Sequence, residues 1–254
     1  MLLGLPTSVT EARECLAEGA VPIGGATLVW ATWQRDGFPE RAMSLRELPE
    51  ANVIGPEALG AAVVLNRIDD RTPEVLRRAA GSVGTGAVRR TATVGGNIVG
   101  SSLRCLLPAA LVLDARATVL ESDGLHETDL AEVAAKRPLL LGLHWRRPIA
   151  SAYRKLPGEA GGPPPLVVAT ALHADGAGQH RLRVAVRDGY DVLSGSTPCD
   201  TGTGTDTGTR TGTGADAEQV LHALKGTALG DLAATAWEVV GRQVCDLLSH
   251  PGSH

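Results

Sequence analysis

The sequence has only four cysteines, Cys15, Cys105, Cys199 and Cys245, and no two stand at CxxC spacing. Local spacing therefore assembles neither a zinc site nor an iron–sulfur cluster, and the cysteines read as reduced thiols. Concentrated positive charge is also missing. The formal net charge is -4 over 254 residues, and Lys and Arg nowhere interleave with aromatic residues, so no nucleic acid partner is expected. The nearest thing to a basic group is Arg71, Arg77, Arg78, Arg89 and Arg90, which reads either as a solvated helix face with its exit or as an anion site. No apolar run approaches the length of a membrane span, and Met1 to Leu5 is too short and too poor in basic residues for a signal peptide. A cytoplasmic protein without a membrane partner is expected. The seven histidines are scattered. His250 and His254 share helical spacing, but Pro251 and Gly252 break that tail, so no metal site is expected. No hydrolytic constellation is present either, and no catalytic residue can be assigned.

What the chain does have is apolar material, 43% hydrophobic residues against 20% charged, enough for one or two packed cores. Ser8 and Glu11 make a capping-box pattern ahead of a helix over Val9 to Glu18, which Gly19 can stop. Val21-Pro22-Ile23 reads as a short strand running into Gly24-Gly25. Thr72-Pro73-Glu74 places a cap before a first-turn proline, and Val75, Leu76 and Ala79 continue the apolar face of a helix. Ala117 to Ser122 reads as a strand closed by the Asp123-Gly124 turn, after which Thr128 can cap another helix. Past Pro148 the texture changes. Leu166 to Ala174 and Arg181 to Arg187 form a hairpin pattern around Asp175-Gly176, and Asp216 to Leu224 and Asp231 to Leu248 are helical in period. This predicts a domain boundary near Arg147, with a β-meander and packed helices beyond it. Thr201 to Gly214 is nearly pure Thr-Gly with nothing to bury, and a disordered loop is expected there.

Two glycine pairs carry the chemistry: Ile23-Gly24-Gly25-Ala26-Thr27-Leu28 and Thr93-Val94-Gly95-Gly96-Asn97. A diphosphate needs several converging N–H donors, and successive peptides can supply them only where no Cβ blocks the approach. Thr27 and Thr93 can add hydroxyl donors, and Asn97 an amide for a phosphate or ribityl oxygen. Neither pair fits Gly-x-Gly-x-x-Gly or the Walker pattern, so a Rossmann site or P-loop is not supported.

The order and context of the two pairs resemble the FAD-binding subunit or domain of the molybdenum hydroxylases, the group containing the xanthine dehydrogenase FAD domain and the carbon monoxide dehydrogenase medium subunit. That family carries an Ala-Gly-Gly-Thr-Asp-Leu-like loop early, then Gln-Ile-Arg-Asn-x-Ala-Thr-Ile-Gly-Gly-Asn. Here the second motif reads Ala87-Val88-Arg89-Arg90-Thr91-Ala92-Thr93-Val94-Gly95-Gly96-Asn97. Pro6-Thr7-Ser8-Val9, Leu106-Leu107-Pro108-Ala109 with Leu113-Asp114-Ala115, and Tyr153-Arg154-Lys155 extend the likeness over nearly the whole chain. The resemblance implies an α+β protein: a two-part α/β FAD-binding region of the PCMH/VAO type at 1–147, with lobes of roughly 1–55 and 56–147. A C-terminal α+β domain like that of the carbon monoxide dehydrogenase flavoprotein would follow at 148–254.

It further implies FAD with its diphosphate on the first loop (Ile23, Gly24, Gly25, Ala26, Thr27 and Leu28). The second motif (Thr93, Gly95, Gly96 and Asn97) and the segment through Cys105 would run along the ribityl chain, and Lys155 would lie near the ring. Two departures stand out. The family usually has an acidic or polar residue in the first loop, where this chain has Thr27, and an Asp just before the Leu-Leu-Pro stretch, where it has Cys105. Losing that carboxylate removes an acceptor worth roughly 1 to 3 kcal/mol if the ribityl hydroxyls stay buried. The function implied is an oxidoreductase subunit relaying electrons between iron–sulfur and molybdopterin partners and a small-molecule acceptor. The alternatives are a stand-alone flavin-dependent oxidase or dehydrogenase of a small metabolite, and a flavin-free scaffold.

Overall fold

The computed structural model describes residues 1–159, 161–176, 179–199 and 213–249, with side chains from Ala217 in the last segment. It has three sheets. In the first, β1 (Leu2–Gly4), β2 (Val21–Ile23) and β3 (Arg41–Ser44) run parallel in the order β1-β3-β2. Parallel neighbours need crossovers, and the helices α1 (Val9–Ala17) and α2 (Val29–Asp36) lie in the two connections. The side chain of Ser8 caps α1 by accepting from the Glu11 amide, as the sequence pattern requires.

The second sheet is antiparallel, in the order β4 (Ala58–Gly60), β7 (Leu139–His144), β5 (Arg116–Glu121), β6 (Gly124–Asp129). Three further helices stand between β4 and β5: α3 (Glu74–Gly81), the short α4 (Gly86–Arg89) and α5 (Leu107–Val112). The turn at Asp123-Gly124 closes β5 onto β6, and α6 (Leu130–Lys136) follows.

Two expected caps are corrected. Thr72 does not cap α3, because Pro73 itself takes the cap position and the Thr72 hydroxyl donates to the Asp69 carbonyl. Thr128 likewise yields to Asp129, one residue nearer the helix, whose carboxylate accepts from the Glu132 amide. Only Asp129 caps through its side chain; Pro73 makes no capping bond.

The third sheet is the expected meander, in the order β11-β10-β9-β8, built from β8 (Ala150–Lys155), β9 (Val167–Ala174), β10 (His180–Asp188) and β11 (Asp191–Cys199). Its two faces follow from the strand period of two. Tyr153, Val167, Ala169, Ala171 and Ala185 join α3 and α5 in one core. Val168, Leu172, Leu182, Val184 and Val186 point the other way, toward α7 (Thr213–Lys225) and α8 (Ala234–Ser249). The helix expected over Asp231 to Leu248 is α8, which starts three residues later, after a 3-10 turn at Ala228–Asp231. Residues 201–212 of the Thr-Gly segment and the His250/His254 tail lie outside the described residues, and α7 begins at Thr213.

The arginine group resolves largely into local pairing. Arg71 binds Asp69 at 2.8 Å, Arg78 pairs with Glu74, and Arg89 donates to the Val83 and Gly84 carbonyls.

Candidate functional site

The two glycine motifs, far apart in sequence, meet. A Cβ on Gly24 would strike the Thr93 hydroxyl, and one on Gly25 would strike the Thr91 carbonyl oxygen. Neither glycine has a positive φ, so what requires them is close approach between two stretches of backbone. The second motif is in turn held by hydrogen bonds from the Leu65, Val94 and Gly95 amides to the Ala92, Val63 and Ala61 carbonyls, at 2.9, 3.0 and 2.8 Å.

This packing leaves the first loop's donors open. Ala26 adopts φ 55°, in the left-handed region. Among the described residues, the amides of Gly25, Ala26, Thr27 and Leu28 donate to no backbone or side-chain acceptor. The loop then runs directly into α2, whose cap position, Leu28, makes no side-chain capping bond. Thr27 and Leu28 are exposed, while Ile23 ends the strand that delivers the loop. A left-handed residue flanked by open amides at the start of a helix is the backbone arrangement that anion-binding nests use.

The polar side chains of the second motif serve the fold first. Thr93 Oγ accepts from the Gly96 amide at 3.1 Å, and Asn97 Oδ1 accepts from the Leu106 amide at 2.9 Å. Their remaining groups, the Thr93 hydroxyl hydrogen and the Asn97 NH2, are the parts that can turn to a ligand. Gly95 packs on Ala61, whereas a Cβ on Gly96 would meet only the Thr93 hydroxyl, at 3.1 Å. Gly96–Gly100 forms a single π-helical turn, and Leu28 reaches across to Gly100. The first loop therefore touches the second motif's segment at Thr91 and Thr93 and again at Gly100.

Cys105 and Lys155 lie at the far end. Cys105 is 3% exposed, inside the core. Its sulfur is 3.9 Å from Nη1 of Arg187, which is 1% exposed. Arg187 donates to the Leu103 carbonyl at 2.9 Å and the Pro165 carbonyl at 2.6 Å. Its Nε has no partner among the described residues. Lys155 is half-buried and donates to the Ser82 carbonyl at 2.8 Å, while the Ser82 hydroxyl lies 3.0 Å from the Tyr153 hydroxyl. Burial pushes the Tyr153 phenol up to about 12, so it stays protonated. Arg187 carries no motif signal, and only the fold brings it to Cys105. Trp30, Trp33 and Phe38 follow the first loop directly in the sequence and match no motif.

The model of the FAD binding domain in molybdopterin dehydrogenase matches residues 3–140, and the chain belongs to that family. FAD is the cofactor this membership brings. The fold also matches quinoline 2-oxidoreductase from Pseudomonas putida 86, with a TM-score of 0.66 and 16% identity, covering 99% of this chain and 96% of that one. Carbon monoxide dehydrogenase from Hydrogenophaga pseudoflava aligns with a TM-score of 0.65 and 18% identity, over 98% of this chain and 96% of that one. The Oligotropha carboxidovorans carbon monoxide dehydrogenase gives a TM-score of 0.65 at 18% identity, over 98% and 94%. A comparison of the sequence with curated proteins gives no match. No helix among the described residues is long and apolar enough to cross a membrane.

The residues present fit the diphosphate of FAD, because the first loop offers consecutive open amides in a cradle that a side chain at Gly24 or Gly25 would close. At Cys105, where the resemblance has a carboxylate, the chain has a buried thiol facing the Arg187 guanidinium.

Proposed function

We propose that this chain is the flavoprotein component of a molybdenum hydroxylase-type dehydrogenase, and that it relays electrons from iron–sulfur and molybdopterin partners to a small-molecule acceptor. The observation that carries the reading is the meeting of the two glycine motifs, with the open amides of Gly25 to Leu28 beside the Thr93 hydroxyl. Bound FAD supplies the redox chemistry, while the protein contributes binding, orientation and electrostatics.

In this reading Ile23, Gly24, Gly25, Ala26, Thr27 and Leu28 cradle the diphosphate. Thr93, Gly95, Gly96 and Asn97 line the path toward the ring, and Lys155 places a positive charge beside the Tyr153–Ser82 pair, where it favours an electron-rich flavin. Cys105 stands behind that path and gives the ribityl hydroxyls no carboxylate. The cofactor region is 1–147, and the meander with its helices at 148–254 forms the other part. The cytoplasmic location fits four free thiols.

The test is reconstitution of the purified protein with FAD, followed by its visible absorption spectrum and by co-purification with iron–sulfur and molybdopterin subunits encoded beside it. Flavin bands that survive gel filtration, together with a stable complex, are expected. A colourless protein after reconstitution overturns the cofactor assignment, and a coloured protein that binds no such subunit overturns the relay.

A further inference from the structure

The chain contains one Phe, two Tyr and four Trp. Three of these seven gather at the end of the phosphate loop: the Phe38 ring stands edge-on to Trp30 at 5.3 Å and to Trp33 at 6.1 Å. Aromatic side chains contribute most when buried. Here Trp30 is 49% and Phe38 45% exposed, and no residue of α2 is buried. Large apolar side chains held together at the surface, where they could have served the core, mark a binding face.

The position of this face limits what it can bind. The Trp30 amide donates to the Ala26 carbonyl, so the indole stands one helical turn from the open amides. The loop has the second motif on one flank, at Thr91 and Thr93, and Leu28 with α2 on the other. In the function proposed above, on which this inference rests, the flavin runs along the first flank. A dinucleotide with its diphosphate on the loop and its flavin on that flank sends its adenosine toward the second. T-shaped contacts with Phe38 engage only part of the Trp30 indole, leaving it half in solvent. An exposed indole is a stacking platform for a purine, because every base presents a π-face.

We infer that Trp30, braced by Phe38, stacks the adenine of the bound dinucleotide and makes the site selective for FAD over FMN. The side chain touches the nucleotide half and takes no part in electron transfer. The selectivity is a matter of binding alone.

The experiment titrates flavin-free protein separately with FAD, FMN and ADP, following tryptophan and flavin fluorescence, for the wild type, Trp30→Ala and Trp30→Phe. Wild-type protein should bind FAD at least about tenfold more tightly than FMN, and Trp30→Ala should lose about tenfold or more in FAD affinity, in line with base–aromatic stacking. FMN affinity should be unchanged by the substitution, Trp30→Phe should recover most of the loss, and ADP should bind the wild type better than Trp30→Ala. Melting temperature should move little, since Trp30 is half-exposed and belongs to no core cluster. Equal losses for FAD and FMN, or none for either FAD or ADP, overturn the stack. Failure of the wild type to bind either flavin instead overturns the flavoprotein reading, and in that case loss of ADP binding in Trp30→Ala still supports the stack while its absence sinks it.

Discussion

β9 and α2 are both eight residues long, and both are rich in apolar side chains. In β9 every residue from Val167 to Leu172 is buried, because α3 and α5 cover one face of its sheet and α7 and α8 the other. In α2 nothing is buried, although it carries Val29, Trp30 and Trp33. The same apolar chemistry serves stability in one place and is left available for a ligand in the other. The backbone follows suit: β9 is hydrogen-bonded on both edges, to β8 and β10, while the loop entering α2 leaves consecutive amides open. Stability is concentrated where polar groups are satisfied, and binding capacity where they are not.

The sharpest way to break this contrast is to cut into the covered sheet. Leu182→Ala removes a side chain with 0% exposure from the core shared with α7 and α8, and should cost about 2 to 5 kcal/mol. Thermal and urea unfolding check it, and a loss below about 1 kcal/mol would show that the two faces of the molecule are not so different.

A smaller effect is expected at the loop. Gly25→Val must push the first loop off the Thr91 carbonyl, so it should lower stability by about 1 to 3 kcal/mol and abolish FAD binding. Gly96→Ala meets only the Thr93 hydroxyl and should leave the melting temperature nearly unchanged. FAD titration of both variants beside flavin-free melting curves separates the two roles; equal destabilisation would mean that the second motif is as tightly packed as the first.

Cys105→Asp sharpens the comparison from within the core. An unpaired buried carboxylate would be strongly destabilising, but Arg187 already presents a guanidinium there without a carboxylate partner. A double-mutant cycle with Arg187→Met should therefore give a favourable coupling of about 0.5 to 3 kcal/mol between Asp at 105 and Arg187. Additive losses would show that the two side chains do not interact.

The least effect concerns pH. His173 is held below its ordinary 6.5, chiefly by burial and also by the Arg183 charge, opposed by its hydrogen bond to the Val112 carbonyl and by the Asp114 charge. The unfolded chain thus takes up its proton first as the solution is acidified. The stability contributed by the neutral ring is complete above about 6.5 and is lost as pH falls through the lower folded value. Melting temperature should decline more steeply from pH 7 to 5 in the wild type than in His173→Gln, and parallel profiles would remove His173 from the acid response.

Sequence alone determined the features that depend on neighbours along the chain. The Ser8 cap, the hairpin of β9 and β10, the turn at Asp123-Gly124 and the two Gly-Gly motifs all rest on local backbone preference or on nearby turn residues. The caps expected at Thr72 and Thr128 are not used: the Thr72 hydroxyl donates to the Asp69 carbonyl, and Asp129, one residue nearer the helix, caps α6. Only the tertiary structure decided the rest. It brought Gly24 and Gly25 against Thr91 and Thr93, carried Arg187 to Cys105, and left the aromatic residues of α2 uncovered. The reason is physical: a glycine pair states that something must come close, but which backbone arrives is fixed by the packing of elements distant in sequence. Whether an apolar side chain becomes core or binding surface depends in the same way on whether another element is left to cover it.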